Sequence, residues 1–447
     1  MLLDFMKGLK HFHKGGVHPH ENKLSAEAPI KELPLPKSVV IPITQHIGAP
    51  AKVVVERGDT VKVGQIIAVH EGFVSSNIHA SVSGKVGKID KVMDSTGFKK
   101  MSISIRTKDD IWEDSIDRTP DLVKDIPYTP EEIVKKIMEA GVVGMGGAAF
   151  PSHVKLSIPE GKHVDYLIVN GVECEPYLTA DHRVMLEKPH EIMVGTQILM
   201  KALGVDKAII GIEANKWDAI EGLKKIAPEY PGIEVQGLRV MYPQGGEKQL
   251  IEALLGREVP SGGLPADAGC IVHNVGTIYS MYMAVQKNRP LIERVVTVTG
   301  KSVKEPSNLL VRIGTPISDL IEAAGGLPED TGKIISGGPM MGKALNELDI
   351  PIAKATSGLL LIPEERSKRQ EVYNCVKCGK CVEVCPMGLQ PVELSLLSKN
   401  KNLETAQAHG ILDCIECGSC SFICPSNRPI LDYIRYGKSN IRKAKAS

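Results

Sequence analysis

Eight of the ten cysteines in this 447-residue chain form two copies of one pattern. The first is Cys375, Cys378, Cys381 and Cys385 ahead of Pro386; the second is Cys414, Cys417, Cys420 and Cys424 ahead of Pro425. Thiolates at the spacing C-x2-C-x2-C-x3-C-P hold [4Fe–4S] cubanes. Structural zinc would use paired C-x2-C motifs, without a third cysteine in register and a trailing Cys-Pro. Disulfides would need an oxidising compartment, for which the sequence gives no support. The cysteines therefore imply single-electron transfer through two iron–sulfur clusters.

The doubled run is that of bacterial two-cluster ferredoxins, in which the fourth cysteine of each copy ligates the other cluster. That pattern implies one cluster on Cys375, Cys378, Cys381 and Cys424, and a second on Cys414, Cys417, Cys420 and Cys385. The remaining two cysteines, Cys174 and Cys270, read as small packing residues.

A second chemistry-bearing segment runs from Gly141 through Gly144, Gly146 and Gly147 to Phe150, Pro151 and Lys155. Glycines let backbone N–H groups approach an anion and form phosphate-binding nests, and Lys155 supplies a cation. A dinucleotide loop of the Rossmann type should follow a strand, whereas this one follows a helix expected over 130–140. Taken alone it reads equally as a tight turn. Two further loops lie after strand-like runs: Asn170 to Tyr177, with Glu173 and Glu175, and Tyr242 to Lys248, with Gly245 and Glu247. Ligands in open α/β sheets bind outside the carboxyl ends of strands, and a helix N-terminus favours phosphate. His273, Asn274 and Thr277 end a later apolar stretch. His273 reads as a flavin contact or as a satisfied structural histidine.

These groups need a scaffold, and the hydrophobic pattern describes a multidomain α/β chain. Residues 1–30 form a polar arm whose histidines, His11, His13, His18 and His20, lack a completed metal-site pattern; packing on another domain is the expectation. From 31 to 110 come short strands punctuated by glycine turns. Residues 111–129 are a proline-containing linker. From 129 to 290, strand-like runs at 166–171, 207–213 and 233–240 alternate with helices, which predicts a parallel sheet covered on both faces. Thr129, Pro130, Glu131 and Glu132 form a helix start. A small β module with one helix covers 291–345, followed by a loop-rich bridge. A mainly helical cluster domain spans 368–434, and a basic tail at 435–447 with Arg435, Lys438, Arg442, Lys443 and Lys445 is expected to fray.

Composition limits the function classes. Hydrophobic residues make up 43%, charged residues 24% and aromatics 4%, so the cores are aliphatic. A formal net charge of +1 argues against nucleic-acid binding. No run reaches the ~20 apolar residues of a membrane span, and the first residues lack the long apolar region of a signal peptide. The expected location is cytoplasmic, with peripheral attachment to a membrane left open.

Three resemblances sharpen the reading. The 53–67 and 80–86 segments resemble the biotinyl/lipoyl barrel-sandwich family, although Glu71 to Asn77 contains none of the modifiable lysine of those carriers. A scaffold role is implied rather than a swinging arm. Residues 144–151, 170–176, 242–248 and 273–277 resemble, in order, the GRGGAGFP, NADEGEP, YICGEE and NNVET motifs of the FMN- and NADH-binding subunit of respiratory NADH dehydrogenase. That resemblance implies that Gly144, Gly146, Gly147, Lys155, Asn170, Tyr242, Gly245, Asn274 and Thr277 cradle FMN. It also implies that Glu173, Glu175 and Glu247 line the flavin–nicotinamide pocket, with Glu173 and Glu175 as the catalytic candidates, tuning and positioning rather than acting as general acids. Met145, Val172 and His273 replace the family's arginine, aspartate and asparagine.

Across nearly its whole length, including the Phe12–Lys23 segment, the sequence resembles the RnfC family of the ion-translocating ferredoxin:NAD⁺ oxidoreductase (Rnf) complexes. The family resemblance implies a β-grasp identity for 291–345 and two [4Fe–4S] clusters, FMN and NAD(H) as cofactors. It also implies partner subunits that include a further iron–sulfur protein, on the cytoplasmic side of the inner membrane. Two other readings remain: a flavin-free relay and docking subunit, and a soluble NADH flavoprotein subunit feeding a hydrogenase or reductase.

Overall fold

The computed structural model describes residues 8–446. Residues 1–7 of the expected arm and the side chains of Lys445 and Ala446 lie outside the described residues.

Between Ser38 and Thr107 two antiparallel sheets share one core. Ser38–Pro42, Lys99–Thr107, Gly84–Met93 and Thr60–Val61 form the first sheet, in that order, and Lys52–Val53, Ile66–Val69 and Ile78–His79 the second. Val39 and Ile41, and Ile103 and Ile105, are alternate residues that point inward from one sheet to meet Ile67, Ala68 and Ile78 of the other, whose Ile66–Val69 strand is irregular. The tip expected to lack a carrier function is a contact: Asn77 donates to the Glu139 carbonyl (3.1 Å) and its own carbonyl accepts from Lys354 (2.9 Å).

The flavoprotein-like region is a four-stranded parallel sheet in the order Ile233–Leu238, Lys207–Glu213, Tyr166–Asn170, Cys270–Asn274. Successive residues of Tyr166–Asn170 point to opposite faces. Leu167 and Val169 pack under the helices Pro130–Glu139, Pro189–Leu203 and Val275–Lys287, while Ile168 packs under Glu247–Leu255. The Pro130–Glu139 start is a full capping box, with the Thr129 side chain accepting from Glu132 N and the Glu132 side chain from Thr129 N. The fourth strand, Cys270–Asn274, is legible in the sequence only as an apolar stretch, since a strand buried on both faces shows no alternation.

Two corrections concern the β module. Its sheet has the order Ile30–Glu32, Ser307–Arg312, Glu293–Thr299, Gly358–Pro363, Thr331–Ser336, Lys343–Leu345. The edge strand Ile30–Glu32 comes from the arm–barrel boundary, and the interior strand Gly358–Pro363 from what reads as a loop-rich bridge. Gly358 to Pro363 is a continuous apolar run whose partners lie on either side of it, Glu293–Thr299 and Thr331–Ser336. The 111–129 linker is also packed. Trp112 is buried and its ring carries the guanidiniums of Arg118, Arg289 and Arg312 at 4.6–4.9 Å.

The tail is not frayed. Ile430–Ala446 is one helix whose Ile430, Ile434 and Ile441 pack on Leu394, Ala406 and Ile411, making 435–446 part of the cluster domain. Buried Lys438 donates to the Cys414 carbonyl (2.5 Å) and pairs with Glu416 (2.8 Å), and Arg435 pairs with Glu416 at 3.2 Å. The arm, in turn, straps the domains together. Lys10 bridges to Leu238, Phe12 is fully buried beside Leu250, Val17 exchanges backbone hydrogen bonds with Tyr242, and Gly16 N donates to the Val384 carbonyl.

Candidate functional site

Parallel strands deliver their loops to one end of the sheet. Asn170 and Asn274 are register partners at the carboxyl ends of adjacent strands. Asn170 Nδ2 donates to the Gly245 carbonyl (2.9 Å), and its Oδ1 accepts from Val172 N (3.1 Å), so one amide ties two loops. Asn274 caps the helix Val275–Lys287 by accepting from Thr277 N (3.1 Å). Thr277 Oγ1 accepts from Met145 N (2.9 Å), which pins the glycine segment to that helix. Lys155 reaches Glu247 (2.5 Å) and the Val272 carbonyl (2.8 Å). Gly144, Gly146, Lys155, Asn170, Gly245, Glu247, Asn274 and Thr277 thus lie on loops that meet at one end of the sheet, the candidate cofactor cleft. Gly146, Gly147 and Ala148 are exposed at its rim.

Close packing explains the glycines. A Cβ on Gly146 would lie 2.9 Å from Asn274, and one on Gly245 3.1 Å from Cys174 Sγ. Bare backbone with a lysine beside it is the donor set a phosphorylated ring cofactor needs, so the residues present fit FMN. The three departures from the NADH dehydrogenase motifs point inward: Met145, Val172 and His273 are all buried, and burial pushes His273 well below the ordinary histidine range. Apolar or neutral side chains suit those positions.

Three expected site residues are engaged by partners elsewhere in the fold. The Glu173 carboxylate accepts from Asp181 N (2.8 Å) and His182 N (3.2 Å), capping the helix Ala180–Glu187. Glu175 accepts from Met340 N (3.1 Å) and Met341 N (2.7 Å), clasping the β module; burial holds its carboxyl up at about 7. Both carboxylates hold neighbouring segments in place, in keeping with a positioning role. Tyr242 has a partner of this kind too. It is 1% exposed, and its hydroxyl donates to the Cys417 carbonyl (2.7 Å), in the cluster domain. Two lysines that sequence reasoning missed hold the 172–178 loop from behind. Lys23 donates to the carbonyls of Glu173, Glu175 and Leu178 (2.7–2.9 Å), and Lys216 to that of Val172 (2.7 Å). Lys23 lies far away in sequence, which hides the contact.

The cysteines gather as two cages. Cys385 from the first motif lines one cavity with Cys414, Cys417 and Cys420 from the second, walled by Pro386, Leu394 and Ile434. The Cys420 thiol feels Cys417, Cys414 and Cys385, whereas Cys381 feels Cys424 and Cys375. Each C-x2-C loop curls through two left-handed residues, Lys377 and Gly379 in one, Glu416 and Gly418 in the other. Backbone amides point at the inner sulfurs: Leu389 N to Cys385 Sγ and Glu416 N to Cys414 Sγ, both 3.4 Å. Among the described residues no three His, Cys, Asp or Glu side chains converge as a single metal ion requires. Thiols spread around a cavity instead suit the corners of a cubane. Tyr242, Cys417 and Val17 form a buried apolar contact bordered by Cys174 and Met340, joining this inner cage to the cleft loops. In the outer cage Cys375 and Cys378 are exposed.

Of the other sequence candidates, Cys270 is a buried core residue, and Cys174 is a packing residue that also accepts from Gly245 N (3.3 Å). His13 pairs with Glu252 at 3.1 Å. No helix among the described residues is long and apolar enough to cross a membrane.

Comparison with known proteins matches these regions. Residues 137–283 match the Nuo51 FMN-binding domain, 10–110 the RnfC barrel sandwich hybrid domain, 295–344 the SLBB domain, and 374–428 a 4Fe-4S dicluster domain. A second dicluster model matches 345–390. The chain therefore carries an FMN-binding domain and a two-cluster domain. It is 50% identical over 440 residues to the C component of the proton-translocating ferredoxin:NAD(+) oxidoreductase complex of Clostridium ljungdahlii, covering 98% of this chain and 95% of that one. It is 45% identical over 435 residues to the Na(+)-translocating counterpart of Acetobacterium woodii, covering 96% of each. The C component of the ion-translocating oxidoreductase complex of Rhodobacter capsulatus is 40% identical over 434 residues, covering 96% of this chain and 83% of that one. Among solved structures, an NAD+-reducing [NiFe]-hydrogenase in the H2-reduced state shares the fold with a TM-score of 0.50 and 19% identity, over 70% of this chain and 62% of that one. By its full-length similarity to these relatives, the chain belongs to the RnfC family, the C components of ion-translocating oxidoreductase complexes.

Proposed function

We propose that this chain is the NAD(H)-reacting subunit of a membrane-bound, ion-translocating ferredoxin:NAD⁺ oxidoreductase, passing electrons between NAD(H), FMN and two [4Fe–4S] clusters. Bound FMN supplies the exchange between a two-electron hydride and single electrons, which neither nicotinamide nor a cubane can perform alone. The chain's own contribution is placement. Gly144, Gly146, Gly147, Lys155, Asn170, Gly245, Glu247, Asn274 and Thr277 shape and hold the FMN cleft. Cys385, Cys414, Cys417 and Cys420 bind the inner cluster, and Cys375, Cys378, Cys381 and Cys424 the outer one.

The observation that carries this reading is the buried contact of Tyr242 with Cys417, bordered by Cys174, between the cleft loops and the inner cage. It supports an order of cleft, inner cluster, outer cluster, partner. The exposed outer cage supports a further iron–sulfur protein as that partner, on the cytoplasmic face of the membrane. The domain limits follow the same logic: a strapping arm, a barrel-sandwich scaffold, the α/β cleft domain, the β-grasp module and the twin-cluster domain with its terminal helix.

Anaerobically purified protein is expected to hold flavin and about eight irons per chain and to reduce an artificial acceptor with NADH. Asn170→Ala is expected to lose the flavin, whereas Cys420→Ala keeps NADH-to-flavin transfer. Wild-type protein without bound or bindable flavin would end this reading in favour of a flavin-free relay.

A further inference from the structure

We propose that Asp181 holds the proton that is left in the cleft when a hydride's two electrons depart for the clusters. This rests on the reading that the cleft binds FMN. A hydride is one proton and two electrons. Iron–sulfur cubanes accept electrons and no proton, so each hydride split between them releases one proton that needs an acceptor. In the reverse direction the same proton must be supplied.

Asp181 is placed for this by geometry. Its Oδ2 accepts from Asn274 Nδ2 at 2.6 Å, and Asn274 is the residue against which Gly146 packs. The Asn274 amide is fixed in orientation by its cap on Thr277 N, so its NH2 group faces Asp181. Asp181 sits half-buried in the first turn of the helix Ala180–Glu187, at the same end of the sheet as Asn274. Among the described residues no cation pairs with it. Buried Arg294, whose charge reaches Asp181, instead donates to the carbonyls of Lys354 (2.5 Å) and Val295 (3.2 Å).

The surrounding charges set its affinity for a proton. Desolvation and the carboxylate of Glu173 push the Asp181 carboxyl up to about 7, while the Asn274 hydrogen bond, Arg294 and Lys216 pull the other way. A group poised near neutral pH both takes and returns a proton. The two other raised carboxyls are excluded by their contacts. Glu175 is held by two amides of the β module, and Glu213 lies 3.7 Å from Lys216 and accepts from Met241 N. Neither touches Asn274 in the described contacts.

The test uses the full, flavin- and cluster-loaded chain. Redox-difference infrared spectra of the wild type should contain a protonated-carboxyl C=O band that changes with flavin oxidation, and the flavin midpoint potential should show a break in its pH dependence near neutrality. Asp181→Asn, which can still accept from Asn274, is expected to keep flavin stoichiometry and lose both signals. Its intramolecular transfer to the clusters should slow roughly 10²-fold while reduction by NADH is preserved. Asp181→Glu should restore the band at a shifted frequency, and it serves as the reporter if the Asn variant fails to fold. A band that persists in Asp181→Asn, or its absence from flavin-loaded wild type, overturns the proposal alone. Absence of flavin from the wild type overturns the parent reading as well.

Discussion

The two cysteine cages share one motif and differ in everything around it. Both have the same spacing, the same left-handed pair of residues and the same trailing proline. Cys385, Cys417 and Cys420 of the inner cage are each 8% exposed, while Cys375 and Cys378 of the outer cage are open to solvent. The inner cage is sealed by Tyr242 and, through the arm, by Gly15, whose backbone abuts Val384 and Cys385. The outer cage is flanked by exposed Val372, Tyr373 and Val376. Environment, amide hydrogen bonds and solvent exposure set cluster potentials. One repeated motif therefore sits in two environments, one packed against Tyr242 and the arm and one turned to the outside.

This asymmetry can be broken at either end. Cys420→Ser and Cys378→Ser should each reduce iron from about eight to about four per chain. In the Cys420 variant, NADH should no longer reduce the outer cluster; in the Cys378 variant, NADH should still reduce the inner one. Equal loss of both clusters in either variant would contradict separate stations, and spectroscopy of the reduced protein reads the difference. A chelator applied to the oxidised holoprotein should remove about four irons in a faster phase, those of the outer cage, before the remainder. Monophasic release would show that burial does not protect the inner cage.

Smaller perturbations test the seal itself. Gly15 has φ +74°, and a Cβ there would lie 2.6 Å from the Val384 and Cys385 backbone. Gly15→Ala should cost about 3 kcal/mol in denaturant unfolding, from left-handed strain plus the collision. It should speed loss of the inner cluster and leave the outer one unchanged. Tyr242→Phe should cost about 1–2 kcal/mol by leaving a buried carbonyl without its donor. In potentiometric titration it should move the inner cluster's potential and not the outer one's.

Local rules are readable wherever neighbours in sequence are neighbours in space. The capping box at Thr129, the strand–helix alternation and the glycine loop all follow from residues a few positions apart. Contacts go unread where a distant element supplies the partner. Glu175 reads as a pocket acid, and the sequence gives no sign that backbone amides of the β module donate to it. Tyr242 reads as a flavin contact until the cluster domain offers a carbonyl. The basic tail reads as frayed because charges dominate it, although Ile430, Ile434 and Ile441 make an apolar stripe that the cluster domain buries.

The primary structure alone determined the redox currency of the protein, because thiolate number and spacing are covalent facts that no folding can alter. It also determined where bare backbone would be available to a phosphate. Only the tertiary structure decided which cage faces the cleft, which acids remain free, and that a polar arm of some twenty residues binds the whole together. Those outcomes depend on burial and on hydrogen bonds between segments over a hundred residues apart, such as Lys23 with the 173–178 carbonyls, and such pairings leave no periodic trace along the chain.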